Sequence, residues 1–278
     1  MQALKKALLT AILLLAGSVL LTGQSVKEFS QTLPFEPGET LSLKAFKGSI
    51  HLTSWESNQV EVVATIEAPG YVSAEYAQQT VEATRIEMRR TGSGVSIKSD
   101  YDQVPFDRSR WFGYSKILPY VHYQIRLPRS LRLRLNDYKS DIEVYGLEGD
   151  LRINTYKGNL EGRGLAGELT LETYKGVARL SAVQGSVNVE TYKGNVDIEV
   201  DALEADSRLD TYKGDITLHL PASQSATIRA DLNKRSGFKS GFDLERRYRS
   251  KYSFDAELNG GGPRILVKTY KGDIRLER

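Results

Sequence analysis

There is no cysteine among the 278 residues, which excludes disulfides, thiolate metal sites, a cysteine nucleophile and a lipid-modified amino-terminal cysteine. Histidine is almost as scarce. His51, His122 and His219 are the only three; they stand on separate strand-like stretches without ligand spacing and read as outward polar residues. An excess of one charge is missing too. Lys plus Arg is 38 against 35 for Asp plus Glu, and Lys5 and Lys6 lie in a leader argued below to be removed, leaving 36 against 35. That balance gives no electrostatic footprint for nucleic acid. No Gly-x-Ser-x-Gly elbow, phosphate loop or zinc-binding helix is found. Together these absences argue against catalysis, metal or other cofactor use and nucleic-acid binding. What is there is foldable, with 40% hydrophobic and 26% charged residues, and long enough for one or two domains.

The first apolar run gives the address. Lys5 and Lys6 precede a nearly uncharged stretch from Ala7 to Leu21, followed by Thr22, Gly23, Gln24 and Ser25. The run is shorter than the ~20 residues a membrane-spanning helix needs, and no second run of that length follows. Residues 1–25 therefore read as a secretory signal peptide, cleaved after Gly23 or Ser25, with no transmembrane segment left afterwards. An exported chain without cysteine suits a bacterial envelope: periplasmic, cell-surface or secreted.

A repeat dominates the remainder. Thr-Tyr-Lys-Gly occurs at Thr155–Gly158, Thr173–Gly176, Thr191–Gly194, Thr211–Gly214 and Thr269–Gly272, with weaker copies at Asp137–Ser140 and Ala45–Gly48. Tyr138, Tyr156, Tyr174, Tyr192 and Tyr212 are spaced 18, 18, 18 and 20 residues apart. Apolar residues keep fixed offsets around them. Ile153, Leu171, Val189, Leu209 and Val267 stand two before the threonines, and Leu151, Leu169, Val187 and Ile265 four before. After the corner come Ile142, Leu160, Val196, Ile216 and Ile274, then Val144, Leu180, Ile198, Leu218 and Leu276. Leu41, Leu43, Ile50 and Leu52 repeat the rule around Phe46. Alternation by two on both sides of a turn means strand, turn, strand. A helix would need spacings of three and four, and a hexapeptide left-handed helix fails because Leu160 is followed at six-residue steps by Ala166 and Glu172.

The fold class this gives is all-β: a parallel β-solenoid, or β-helix, of about 18-residue coils with two main strands, a shorter third side and an irregular β N-terminal part. Glycines mark the corners, Gly158, Gly176, Gly194, Gly214 and Gly272 at the first and Gly146, Gly149, Gly164, Gly167 and Gly185 at the second. Residues 26–128 form the N-terminal β region, with strands at Gln59–Ile66, Val95–Ile97 and Val121–Pro128, a short helical stretch at Val72–Gln79 and a long loop at 100–117 holding Pro105, Trp111 and Phe112. Residues 129–278 form the regular solenoid, with enlarged coils at 221–263 filling the 58 residues between Tyr212 and Tyr270.

A strand ending Ile125-Arg126-Leu127-Pro128, followed by glycine-cornered strand repeats and closing on Gly261-Gly262-Pro263-Arg264-Ile265-Leu266-Val267-Lys268-Thr269-Tyr270-Lys271-Gly272, resembles the bacterial putative-adhesin family of exported β-strand-repeat proteins. The likeness covers Phe29 onwards. It implies an exported, adhesin-like or scaffolding β-solenoid of the envelope and brings no catalytic residues. This chain departs from it in placing tyrosine and lysine at nearly every first corner.

In a stack, equivalent residues lie ~4.8 Å apart, so Tyr138, Tyr156, Tyr174, Tyr192 and Tyr212 should form one outward file and Lys139, Lys157, Lys175, Lys193 and Lys213 another beside it. Two readings follow. In the structural one, stacked rings stitch the coils together, and Glu172, Glu190 and Asp210 neutralise the lysines. In the binding one, the files form a platform for an acidic glycan or other anionic envelope polymer, with aromatic faces for sugar rings and ammonium groups for anions. Asn159, Asn195, Asp215 and Asp273, one after each corner glycine, would join it; Val177 interrupts them as a calcium column. The basic run Arg246, Arg247, Arg249 and Lys251 reads as a solvated loop, with a surface for an anionic partner as the second reading. The expectation is a non-catalytic binding or scaffolding protein. Its competitors are a polysaccharide-active lyase or hydrolase on the same fold and end-to-end self-assembly, against which Asp273, Arg275, Glu277 and Arg278 argue.

Overall fold

Alternating apolar residues and glycine corners convert each repeat into one coil. The unit is a strand Glu148–Lys157, a corner, a short strand Leu160–Arg163, a second corner and the next strand Ala166–Lys175. The computed structural model describes residues 25–106 and 116–278. The signal peptide, apart from Ser25, and the middle of the 100–117 loop, with Trp111 and Phe112, lie outside the described residues.

Strands of successive coils pair in parallel, one repeat apart, so like side chains fall into columns. Ile97, Leu43, Leu135, Ile153, Leu171, Val189, Leu209, Val267 and Ala230 form one continuous inward column, and every member is buried. The parallel column Val95, Leu41, Leu133, Leu151, Leu169, Val187 is interrupted by Ser207 before resuming at Ile265. Ser207 belongs to the 20-residue repeat, and its hydroxyl accepts the Val187 N–H at 3.1 Å. A third inward set, Leu147, Leu165, Val183 and Leu203, is buried beside the second corner. There Ala182 takes φ +51° in the place where neighbouring coils have Gly146 and Gly164. The fold is the all-β parallel solenoid that the repeat predicted.

Spatial order departs from chain order at both ends. Strand Lys47–Trp55 lies between Tyr120–Pro128 and Ser130–Tyr145, although the latter two are consecutive in the chain. At the other end Arg264–Lys271 pairs directly with Ser207–Lys213, and Ala226–Asp231 lies beyond it. The segment 221–263, expected as enlarged coils, thus lies between Tyr212 and Tyr270 in the chain but not between them in the stack. Within that segment, Ala226–Asp231 and Phe238–Ser240 form one outer level, covered by antiparallel strands Ser253–Leu258 and Glu245–Ser250. The physical reason is the open edge. A terminal coil exposes unpaired backbone and an apolar cross-section, and an antiparallel hairpin ending in an exposed, charged strand closes it.

The N-terminal region uses the same device. Val26–Pro34 pairs antiparallel with Gln59–Glu67, which pairs antiparallel with Tyr120–Pro128. The expected helical stretch is an α-helix, Ala74–Ala83, N-capped by Ser73, burying Ala77, Thr80 and Val81. One hydrophobic core runs from Phe35 to Leu276, so the change at 128/129 is one of regularity within a continuous core. Among the described residues no helix is long and apolar enough to cross a membrane.

Candidate functional site

The outward residue following each inward threonine is the corner tyrosine, and parallel pairing brings these together. Tyr138, Tyr156, Tyr174, Tyr192 and Tyr212 stack with centroids 4.9–5.1 Å apart and rings within 10° of parallel. The file is longer than the sequence suggested. Phe46 stacks on Tyr138 at 4.9 Å, and Tyr270 on Tyr212 at 4.9 Å. Seven rings thus cross seven coils. Phe46 is the divergent copy, and Tyr270 was hidden by its 58-residue separation, which the out-of-order coil removes.

Stacking decides what the file can offer. Each inner ring has both faces against neighbours, and only edges and hydroxyls reach solvent, at 37–44% exposure for the six tyrosines. Sugar rings laid on tyrosine faces, as the sequence suggested, therefore have no room along the inner file.

The lysines also assemble. Lys47, Lys139, Lys157, Lys175, Lys193, Lys213 and Lys271 pair successively across the ladder. Five of them hold the ammonium 5.0–6.0 Å from the ring of the tyrosine before them. Lys47 turns over Tyr120 at 4.1 Å, and burial, with Lys139 second, pulls its pKa below the usual lysine value. Among the described residues, Lys139, Lys157, Lys175, Lys193, Lys213 and Lys271 form no ion pair. The expected neutralisation by Glu172, Glu190 and Asp210 is not what the structure shows. Asp210 pairs with Arg208 at 2.6 Å and Lys268 at 3.2 Å. The carboxylates precede the tyrosine by two residues while the lysine follows by one, which separates them by about 10 Å along an extended strand, with the rings between.

The carboxylates instead wall a groove of about 760 Å³ on the other side of the rings, with Asn136, Asn154, Glu172, Glu190, Asp210 and Lys268 along one edge and Tyr156 to Tyr270 along the other. None of the ladder lysines lines it. At its head Asp137 occupies the threonine position of the later coils. Burial pushes its carboxyl above the usual range, while Ser140 N–H, Ser140 Oγ and Thr155 Oγ1 donate to it and oppose the shift.

The polar residues after the corner glycines are engaged by the backbone of the neighbouring coil. The Asp141, Asn159, Asn195, Asp215 and Asp273 Oδ1 atoms accept backbone N–H groups of the next level, from Asn159, Val177, Asp215, Asp273 and Gly237 at 2.8–3.1 Å. They tie coil to coil. The Asp273 N–H, with Arg275 contributing, holds the Asp215 carboxyl below its usual range. The histidines lie apart: His51 bonds Glu143 at 2.9 Å, His122 bonds Ser49 Oγ at 2.9 Å and His219 lies 3.2 Å from Asp197. No group of three or more His, Asp or Glu placed to hold a metal occurs among the described residues. The basic run forms a strand, where Arg249 pairs with Asp231 and Asp255, and Arg246 lies over Phe238 and Phe254.

With this geometry in place, comparison with known proteins is informative about fold. The family model described as Toastrack DUF4097 matches residues 129–277. The structure of a putative adhesin from Bacteroides fragilis NCTC 9343 is 14% identical, with 90% of this chain and 97% of that chain covered and a TM-score of 0.50. A putative cell adhesion protein from Clostridium sporogenes ATCC 15579 is 10% identical, covering 90% and 99%, with a TM-score of 0.38. A putative lipid binding protein from Parabacteroides distasonis ATCC 8503 is 10% identical, covering 90% and 97%, with a TM-score of 0.34. No curated protein matches the chain.

Proposed function

The chain belongs to the Toastrack DUF4097 family, and from that premise we propose that it is an exported, non-catalytic, adhesin-like or scaffolding solenoid of the bacterial envelope that holds an acidic glycan or another anionic surface polymer. The strip involved is the lysine file Lys139, Lys157, Lys175, Lys193 and Lys213, continued by Lys271, beside the edges and hydroxyls of Tyr138, Tyr156, Tyr174, Tyr192 and Tyr212. One observation carries the reading: six ammonium groups stand in a single file without an ion-pair partner among the described residues. Neighbouring charges at ladder spacing repel by roughly 1 kcal/mol per pair even in water. A polyanion lying along the file relieves that repulsion at every coil, and each weak contact raises the effective concentration for the next.

The test is retention of the purified protein on immobilised acidic glycan, with the eluate assayed for new reducing or unsaturated ends. Retention that falls with salt, without new ends, is expected. Lys157→Gln, Lys175→Gln and Lys193→Gln together should weaken it about tenfold or more. New chain ends would replace the binding reading by the enzymatic one, and retention indifferent to the three lysines would remove the strip.

A further inference from the structure

The tyrosine file separates flanks of opposite sign, and the concave flank is the acidic one. Lysines line one side over six levels, whereas the groove on the other side has outward carboxylates only at the three central levels, Glu172, Glu190 and Asp210, between Asn154 and Lys268, with the half-buried, hydrogen-bonded Asp137 at its head. Asp210 is taken by Arg208 and Lys268. Glu172 and Glu190 have no partner among the described residues and face the same groove as the tyrosine edges. Beneath them Thr191, only 3% exposed, lines the groove with its Oγ1 making no hydrogen bond.

A purely anionic chain resting on the tyrosine edges would lie between its lysine partners and two uncompensated carboxylates. Those carboxylates would repel it at the centre of the strip. A chain carrying amino groups as well as anions turns the same contacts into attraction, with carboxylates and phenol oxygens accepting from the ammonium groups. We infer that the ligand is a zwitterionic polymer, with many anionic groups along the lysine file and a few ammonium groups in the groove at Glu172 and Glu190. This rests on the anion-binding reading of the lysine file and adds the chemical class of the polymer. The unequal lengths of the two files set the stoichiometry: anions are read at every coil, amines only at the middle.

A glycerol-phosphate polymer bearing alanyl ester amines, and the same polymer after ester removal, are a matched pair of probes. Titrated against the purified protein near neutral pH, the amine-bearing form should bind about fivefold more tightly. Glu172→Gln with Glu190→Gln should abolish that difference while leaving the de-esterified polymer bound as well as before, or better. Both side chains are exposed, and a denaturation curve confirms that the fold is kept. Equal or tighter binding of the de-esterified polymer to the parent protein overturns the zwitterion inference and leaves the anionic reading standing. If neither form binds in a way that depends on Lys157, Lys175 and Lys193, both fall.

Discussion

The coils between Ser130 and His219 and the two ends solve the same problem by opposite means. In the middle each strand finds its partner one repeat away in the chain, and the same residue types recur at the same depth. At the ends parallel pairing gives way to antiparallel strands, and bulky aromatics, Phe35, Tyr123 and Phe254, are fully buried where the central columns use aliphatics. The difference teaches that repetition supplies stability only where a coil has neighbours on both sides. A final coil lacks one neighbour, so the chain adds non-repeating structure and threads an out-of-order coil beneath it.

The sharpest way to break this comparison is at glycine. A β-carbon on Gly194 would lie 1.6 Å from the carbonyl oxygen of Gly176, a backbone atom fixed in the ladder. Gly38, near one end, has φ +84° but open space around it. Gly194→Ala should therefore cost roughly 3 kcal/mol or more, whereas Gly38→Ala should cost about 1–2 kcal/mol from left-handed strain alone. Denaturant midpoints measure both, and equal losses would mean that the central coils are not packed backbone to backbone.

Ring stacking gives a smaller contrast. Tyr174 stacks on two rings and Tyr270 on one. At about 0.5–1.5 kcal/mol per stacked pair, Tyr174→Ala should lose about twice as much as Tyr270→Ala. Polymer retention measured on the same variants sharpens the result: stability lost with retention intact would make the rings stitches only.

The smallest effect concerns alkaline pH. Burial pushes the Tyr101 phenol, beside Phe46 at the N-terminal end, up to about 12 from an ordinary value near 10. Its folded-state pKa lies above the unfolded one, so the stability it contributes is present below pH ~10 and is lost as pH rises towards ~12. By pH ~11 the loss from Tyr101 should be on the order of 1 kcal/mol, and Tyr101→Phe should make the alkaline slope shallower while leaving the part due to Tyr123, whose phenol burial also pushes up. Near-ultraviolet spectra of parent and variant follow the titration. An unchanged slope in the variant would place the alkaline weakness elsewhere.

How much of this was legible can be judged residue by residue. The columns through Ile153 and Leu171, the tyrosine file and the lysine file followed from spacing, because parallel pairing one repeat apart turns sequence period directly into contact. Tyr270 was visible as a motif but not as the next ring, since 58 residues separate it from Tyr212. Glu172 and Glu190 were recognised as outward carboxylates, but whether they neutralise the lysines depends on what stands between. The apolar residue beside the second corner, such as Leu165, went unrecognised because it follows a glycine rather than an alternating run. Gly176 and Gly194 stand at first corners without the positive φ of Gly158, Gly214 and Gly272. The structure shows that their need is space, with a carbonyl oxygen less than 2 Å from where a β-carbon would go.

By itself, the sequence determined the coil, its inward columns and the two outward files, because a strand's period of two and a repeat of eighteen leave the side chains no other register. Only the tertiary structure decided the order of coils at the ends, the burial of ring faces and the opposite signs of the two flanks. Those depend on which strand occupies the adjacent level and which side chains stand between two charges, and no local period encodes either.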